Sequence, residues 1–425
     1  MIKTAVIILL LVFFALIAKI CQKSWLAPGA FFAAAWATYL FVPFAIAPEY
    51  QIWWRGALWI LLSAVSVYIG SVIGFRYLRY SPDKKIFRRK IILPAAKTVI
   101  FFASILGTIA FAITLHSRGY GLADFLSVDS LSKMGNDFSV ARYFLNYDIP
   151  AIARFLNSFI YLASFAGGAF FAASKRIGGK IFSFLPFIPA ALFGVALTTR
   201  TSIFFPVICW ISSYLAASVF LNRGRFTVSL KKILTMGLIA AIFIFAAVSL
   251  SMLRSQRTSF EQVQEVWDHT KIGAFGSPAA FSVWVENERY GDTNLKMGAL
   301  TFAGIFDFFN IEKRLQGLYQ EKIELANDGE VTNVYTIFRG LIGDFNFAGA
   351  LILSFIFGFI GGLFFRLAVL GKPIGIPFLA GFYSITIWSY FVNLFIYNSI
   401  LFGWFLFLFY VILLVKPARN ESVSP

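Results

Sequence analysis

A chain of 425 residues with net charge +17 that is 59% hydrophobic and only 13% charged departs from soluble composition, about half apolar and about a quarter charged, in the direction that lipid demands. That composition excludes an ordinary soluble enzyme. Because the positive charge sits in short links between apolar runs, it also argues against nucleic acid as a partner. The two cysteines, Cys21 and Cys209, fall in or beside apolar runs, so no external disulfide framework is expected.

Apolar runs of about 20 residues predict helices that span a bilayer, since an unsatisfied backbone is too costly in lipid. About 11 transmembrane helices are expected, at 5–20, 30–47, 57–75, 92–115, 152–173, 181–198, 202–221, 233–253, 347–365, 377–393 and 400–415. The first run lacks a small-residue cleavage site and reads as a retained span. The sixth and seventh are joined by a very short link and read as a helical hairpin. The fold class is therefore an all-α polytopic membrane protein, one integral domain over 1–425.

Charge sets the expected orientation. The link from Arg76 to Lys90, the link at 174–180 with Lys175, Arg176 and Lys180, and the link at 222–232 with Arg223, Arg225, Lys231 and Lys232 all fall on one side. The positive-inside rule assigns that side to the cytoplasm, with the tail carrying Lys416 and Arg419. The N-terminus is then external. Two long external segments follow, 116–151 and 253–346. The second is far longer than a connection needs, which points to function. Within it, 260–270 and 297–310 read as amphipathic helices lying at the membrane surface.

The most informative side chains are arginines at the outer boundary. Arg200 stands in Thr198-Thr-Arg-Thr-Ser202 at the hairpin tip. Arg254 and Arg257 stand where the eighth span surfaces, and Arg339 stands just before the ninth. Arginine binds phosphate through a planar, permanently charged fork, so such a set suits a lipid-linked phosphate or pyrophosphate. Snorkelling at span ends is the plainer reading of any one of them. Leu115-His-Ser-Arg-Gly-Tyr-Gly121 opens the first long segment, which closes near Arg142 and Arg154. Arg118 and His116 could join the same site, or His116 could be a solvated helix end. His269, in Val266-Trp-Asp-His-Thr270, is the second histidine and a candidate general base, as are Asp344 and Asp307. Asp344 could equally pair with Arg339 or cap a helix. Glu286-Asn-Glu288 has the spacing of a metal-binding pair, but two nearby Glu on a loop are common, and no metal is expected. Gly358 and Gly362 form a small-xxx-small pair that reads as close helix packing.

The stretch Asn333-Val-Tyr-Thr-Ile-Phe-Arg339, then Gly343-Asp-Phe-Asn-Phe-Ala-Gly349 running into an apolar span, resembles the bacterial O-antigen polymerases, the oligosaccharide repeat unit polymerase family. So does the Thr-Arg-Thr-Ser hairpin tip, followed by a basic link and a span ending in Arg254-Ser. The resemblance covers roughly 192–365, and the family pattern expects Gly where this chain has Asn346. It implies a fold like that of lipid-dependent (GT-C type) glycosyltransferases in the bacterial inner membrane, needing no metal or other cofactor. The implied substrate is undecaprenyl-pyrophosphate-linked oligosaccharide, with membrane lipid around it and a chain-length regulator and a flippase as protein partners. The implied reaction moves the growing glycan to the non-reducing end of a second lipid-linked repeat unit at the periplasmic face. On that reading Arg200, Arg254, Arg257, Arg339 and Arg118 bind pyrophosphate, and His269 or Asp344 is the base. An O-antigen ligase and a flippase or transporter are the alternatives.

Overall fold

The computed structural model describes residues 2–78, 89–91, 93–144, 149–225, 271–287, 295–312, 319, 321–325 and 330–417. Among them, eight helices are long and apolar enough to cross a bilayer, so the chain is an α-helical polytopic membrane protein. They are α1 (Ile2–Gln22), α2 (Pro28–Ile46), α3 (Trp54–Tyr77), α4 (Leu93–His116), α6 (Ala151–Ala173), the broken helix made of α7 (Ile177–Phe182) and α8 (Phe187–Ala196), α9 (Thr201–Asn222) and α12 (Ile337–Val369). Between them lie α5 (Val128–Phe144), α10 (Ser277–Asn287) and α11 (Ala303–Phe308), and two shorter apolar helices follow, α13 (Gly375–Trp388) and α14 (Asn398–Leu414). Eight of the expected spans coincide with these helices, 377–393 and 400–415 fall on the shorter α13 and α14, and 233–253 lies outside the described residues. Leu9, Phe13, Ile181, Ile352, Phe409 and Leu413 are exposed on outward helix faces. Apolar surface on that scale calls for lipid rather than water.

The ends of the helices sort onto two sides. A strand β1 (Arg89–Ile91) pairs antiparallel with a strand β2 (Val415–Pro417), so the basic link before α4 and the chain after α14 share one end. At the opposite end, Thr4 Oγ1 donates to the Ile52 carbonyl at 2.9 Å. Arg55 bonds Glu286 at 2.9 Å, Lys271 pairs with Glu49, and Trp53 N donates to Ser282 Oγ at 2.9 Å. The start of the chain, the α2–α3 link and the long segment before α12 are therefore together at what is called here the loop end. Lys271 holds the Glu49 carboxyl below its ordinary range, although partial burial pushes the other way.

The helices form two groups. In one, α3 packs against α12, α1 and α2. In the other, α6 packs against α4, α9 and α14, with α8 alongside. Helix α13 touches both α9 and α12 and joins the groups. Contact between α3 and α12 is backbone to backbone. A Cβ on Gly358 or Gly362 would overlap the carbonyl oxygens of Val67 and Ser71, and one on Gly70 or Gly74 those of Phe355 and Phe359. The small-xxx-small spacing has its expected use here, with a matching pair on the partner helix.

Several elements differ from the sequence reading. The break between α7 and α8 falls at 183–186, and the carbonyl of Ser183 that it frees accepts from Trp210 Nε1 at 3.1 Å. The segment 116–151 is folded: α5 docks Met134 and Phe138 into a small core with Phe111, Phe193 and Leu197. Of the expected surface helix 297–310 only Ala303–Phe308 is helical, and 260–270 lies outside the described residues. α10 is no surface cover. Its Ala279, Ala280, Phe281 and Trp284 are buried, and Gly56 of α3 lets the chain at Ser282 approach closely. α12 begins ten residues before the expected 347, because Ile337 N finds the Ser389 carbonyl at 3.0 Å and the extra turns pack inside the protein.

α12 is kinked at Asn346, where φ is 55° and ψ is −175°. This backbone region belongs almost exclusively to glycine and costs about 1–3 kcal/mol otherwise. Asn346 is tolerated because its Oδ1 accepts from Gly349 N at 3.0 Å and caps the second half of the helix. Asn346→Gly is expected to raise stability by about 1 kcal/mol, losing only a few tenths from the cap. Asn346→Ala loses the cap and keeps the strain, so it should lower stability. Thermal unfolding in detergent checks this, and shifts of the same sign would contradict it.

Candidate functional site

Three helices of the second group begin at the loop end and face one cavity of about 320 Å³. α6 brings Arg154 and Asn157. The start of α9 brings Thr201 and Ser202, with Thr199 just before it. The start of α14 brings Asn398 and Ser399, and α11 contributes Asp307. A helix N-terminus carries about half a positive charge from its aligned peptide dipoles. Three of them therefore converge where Arg154 already adds a full charge. Arg200, half-buried, lies between two residues that line the cavity, Thr199 and Thr201. Pro150 precedes α6 and Asn398 opens α14, both residue types suited to a helix start. Hydroxyls fill the α9 corner, with Thr199 Oγ1 and Ser202 Oγ 2.6 Å apart. Leu197, Phe193 and Pro206 make the remaining wall apolar.

An acid lines the cavity as well. Asp307 Oδ2 accepts from Asn398 Nδ2 at 2.6 Å. The amide oxygen of Asn398 is buried and has no partner among the described residues, a state that costs about 1–3 kcal/mol unless a ligand donates to it.

Arg339 stands elsewhere, in the first helix group. Its guanidinium carbon lies 3.7 Å from the ring centre of Tyr335, 4.1 Å from that of Tyr319 and 5.5 Å from that of Trp284. It also pairs with Glu321. Its Nη1 is buried without a hydrogen-bond partner among the described residues, facing rings instead. Burial raises the phenol pKa values of Tyr319 and Tyr335, with the Arg339 charge opposing, so both phenols stay neutral. No residue of this cage lines the cavity.

Asp344, expected as a base, does a different job. It is fully buried, and its two oxygens accept from the backbone N–H groups of Leu300 at 3.1 Å and Thr301 at 2.6 Å. A carboxylate committed to two amides inside the protein does not reach a sugar hydroxyl. It anchors the segment leading into α11. Arg118 likewise has its fork on Asp137, with Nε–Oδ2 at 3.2 Å and Nη2–Oδ1 at 2.8 Å, tying the end of α4 to α5. His116 is the exposed last residue of α4, followed by a turn at Gly119 with φ 77°, the solvated helix end of the plainer reading. Glu286 belongs to the Arg55 pair. Arg254, Arg257, His269 and Glu288 lie outside the described residues.

Of the cavity residues, the sequence singled out Asp307 as a candidate base and named Arg154 only where a loop closes, while Arg200, expected to bind phosphate, stands beside the cavity. The sequence reading missed Asn398, whose one signal was an Asn opening a long apolar run, and the Thr199–Ser202 hydroxyls, which read only as hairpin-tip polarity. Compared with protein-family models, curated proteins and solved structures, the chain matches none.

Proposed function

We propose that the protein is a polymerase of lipid-linked oligosaccharide repeat units. It transfers the growing glycan from undecaprenyl pyrophosphate to the non-reducing end of a lipid-linked repeat unit, with the loop end facing the periplasm of a bacterial inner membrane. The observation that carries this reading is the convergence of three helix N-termini on one polar cavity with Arg154 in it and Arg200 beside it. Such a site favours a group whose negative charge grows as the reaction proceeds, because dipoles and arginines already aimed at it need no reorganisation. A departing pyrophosphate is such a group. The cavity lies where spans meet the loop end, so a lipid tail can stay in the bilayer while the head enters.

A transporter is less well supported, because transport sites place charge at mid-membrane. No Asp, Glu, Lys or Arg occupies the middle of a described span.

The test uses purified protein in liposomes supplied with lipid-linked repeat units. A ladder of products at multiples of one repeat is expected. A strain lacking the protein should carry single repeats on its outer lipid, whereas loss of a ligase would leave none. Movement of repeat units across the liposome membrane without elongation would sink the reading and favour a flippase.

A further inference from the structure

Thr198 holds an unfavourable backbone conformation at the edge of the cavity. Helix α8 ends in a closed turn, in which Thr198 N donates to the Val195 carbonyl at 3.2 Å and Thr199 N to the Gly194 carbonyl at 3.0 Å. This pair of bonds calls for a left-handed residue just past the helix, and glycine is its usual occupant. Here Thr198 occupies the position, with φ 46°. A β-branched residue is disfavoured there, because its Cβ crowds the following carbonyl. The hydroxyl adds a second cost, since it is buried and has no hydrogen-bond partner among the described residues. Such strain persists only where the surroundings over-determine it, and it gathers at functional sites.

The surroundings of Thr198 do fix it. Its methyl fills a hollow over Gly135 of α5, where a Cβ would lie 2.3 Å from Thr198 Cγ2. Met134, next to Gly135, packs in the small core with Phe193 and Leu197. Two residues beyond Gly135, Asp137 takes the fork of Arg118 and ties α5 to the end of α4. The hairpin tip is therefore seated on an anchored helix. On either side of Thr198, Leu197 and Thr199 line the cavity, and Thr201 and Ser202 line it further on. Thr199 Oγ1 and Ser202 Oγ are 2.6 Å apart, and Arg200 stands between them in the chain.

We propose that Thr198 is a positioning residue for the departing pyrophosphate. Its methyl, seated over Gly135, fixes the tip so that Thr199, Arg200 and Ser202 keep the placement that stabilises the growing charge. As the bond from the anomeric carbon to the pyrophosphate oxygen breaks, the electron pair stays on that oxygen. The acceptor hydroxyl oxygen takes its place on the carbon, and the hydroxyl proton passes to water. The proposal rests on the polymerase reading and adds a role for α5 and for a residue that touches no substrate. Glycine would make the same turn without strain, but it would leave the hollow empty and the tip free to shift. A strained threonine gives up stability for fixed placement, which groups around a reacting centre require.

Elongation of lipid-linked repeat units in liposomes, together with thermal unfolding in detergent, tests this. Thr198→Gly removes the strain, the methyl and the orphaned hydroxyl at once. Its Tm is expected to be unchanged or higher, while kcat falls by about 10- to 100-fold, the effect of misplacing groups by about an ångström. Thr198→Ser loses the methyl and should slow turnover as glycine does. Thr198→Val keeps the methyl and loses the hydroxyl, so it should retain most of the turnover. Gly135→Ala fills the hollow from the α5 side and should slow turnover by itself. Combined with Thr198→Gly it should recover part of the rate, because the new Cβ takes the space that the methyl leaves. A Thr198→Gly protein that elongates within about threefold of wild type overturns the proposal and leaves the polymerase reading standing. A joint fall of Tm and turnover in that variant also overturns it, since Thr198 would then only hold the fold together. So does an inactive Thr198→Val beside an active Thr198→Ser, which would make the hydroxyl the working group. Wild-type protein that binds undecaprenyl pyrophosphate and never elongates removes the reading and the proposal together.

Discussion

Replacing Arg154 and Arg200 together by alanine is expected to weaken binding of undecaprenyl pyrophosphate by about 100-fold or more, at two charge-assisted contacts of about 1.5–3 kcal/mol each. The protein should stay folded. Arg154 is exposed on α6, and the Arg200 side chain makes no capping bond to α9. Thermal unfolding of each variant in detergent checks that point, since Arg154 is exposed and Arg200 half-buried. Each single variant should lose part of the affinity, and the residual binding of the double variant should depend less steeply on salt, because fewer charges meet the ligand. Equilibrium binding in liposomes at two ionic strengths gives the answer. Wild-type affinity in the double variant would move the anion site away from this cavity. Arg339→Ala supplies a contrast. Its guanidinium sits among Tyr319, Tyr335 and Trp284, so its removal should lower stability through lost packing more than it alters pyrophosphate affinity.

Gly362→Leu is expected to prevent normal assembly of the bundle, and Gly358→Leu to do the same. At both positions the obstacle is the α3 backbone, the carbonyls of Ser71 and Val67. A backbone in mid-helix cannot swing aside as a long side chain can, so the two helices must part along their length. Overpacking that an adjusting core absorbs costs about 1–3 kcal/mol. Forcing apart the most extensive helix contact among the described residues should exceed about 4 kcal/mol, the range in which single substitutions unfold marginal proteins. Even Gly362→Ala should lower Tm clearly. Gly178→Ala is the control, since a Cβ there meets nothing within 4 Å and alanine is the better helix former. Yield, monodispersity and Tm in detergent read the result. A Gly362→Ala protein as stable as Gly178→Ala would mean that α3 and α12 do not cross at these glycines.

The two predictions lie on different levels of legibility. The glycine spacing at 358 and 362 was readable as close packing, because small residues one turn apart have few other uses in an apolar helix. The partner was not readable, since nothing in the sequence ties Gly70 and Gly74 to that helix across nearly three hundred positions. Among the arginines, Arg200 was picked for its place at a hairpin tip, and it does flank the cavity. Arg339 was picked for its place at the same boundary, just before the ninth span, and belongs to an aromatic cage in the other helix group. Asp344 read as a base or a cap, and it caps, though for the chain at Leu300 and Thr301 rather than for its own helix.

The sequence by itself determined that the chain is an α-helical membrane protein, where most helices begin and end, and which links share a side. It could do so because a bilayer ties depth to residue number: a helix rises about 1.5 Å per residue, and charge is tolerated only near its ends. Depth was therefore legible, and all the favoured arginines were assigned one depth. Lateral position was not, because it depends on which helix faces pack together, and apolar faces built of Phe, Leu, Ile and Gly can pack in many ways. Only the tertiary structure decided that the starts of α6, α9 and α14 meet around one cavity, that Asp307 reaches Asn398 there, and that Arg339 stands in a different group of helices at the same end of the molecule.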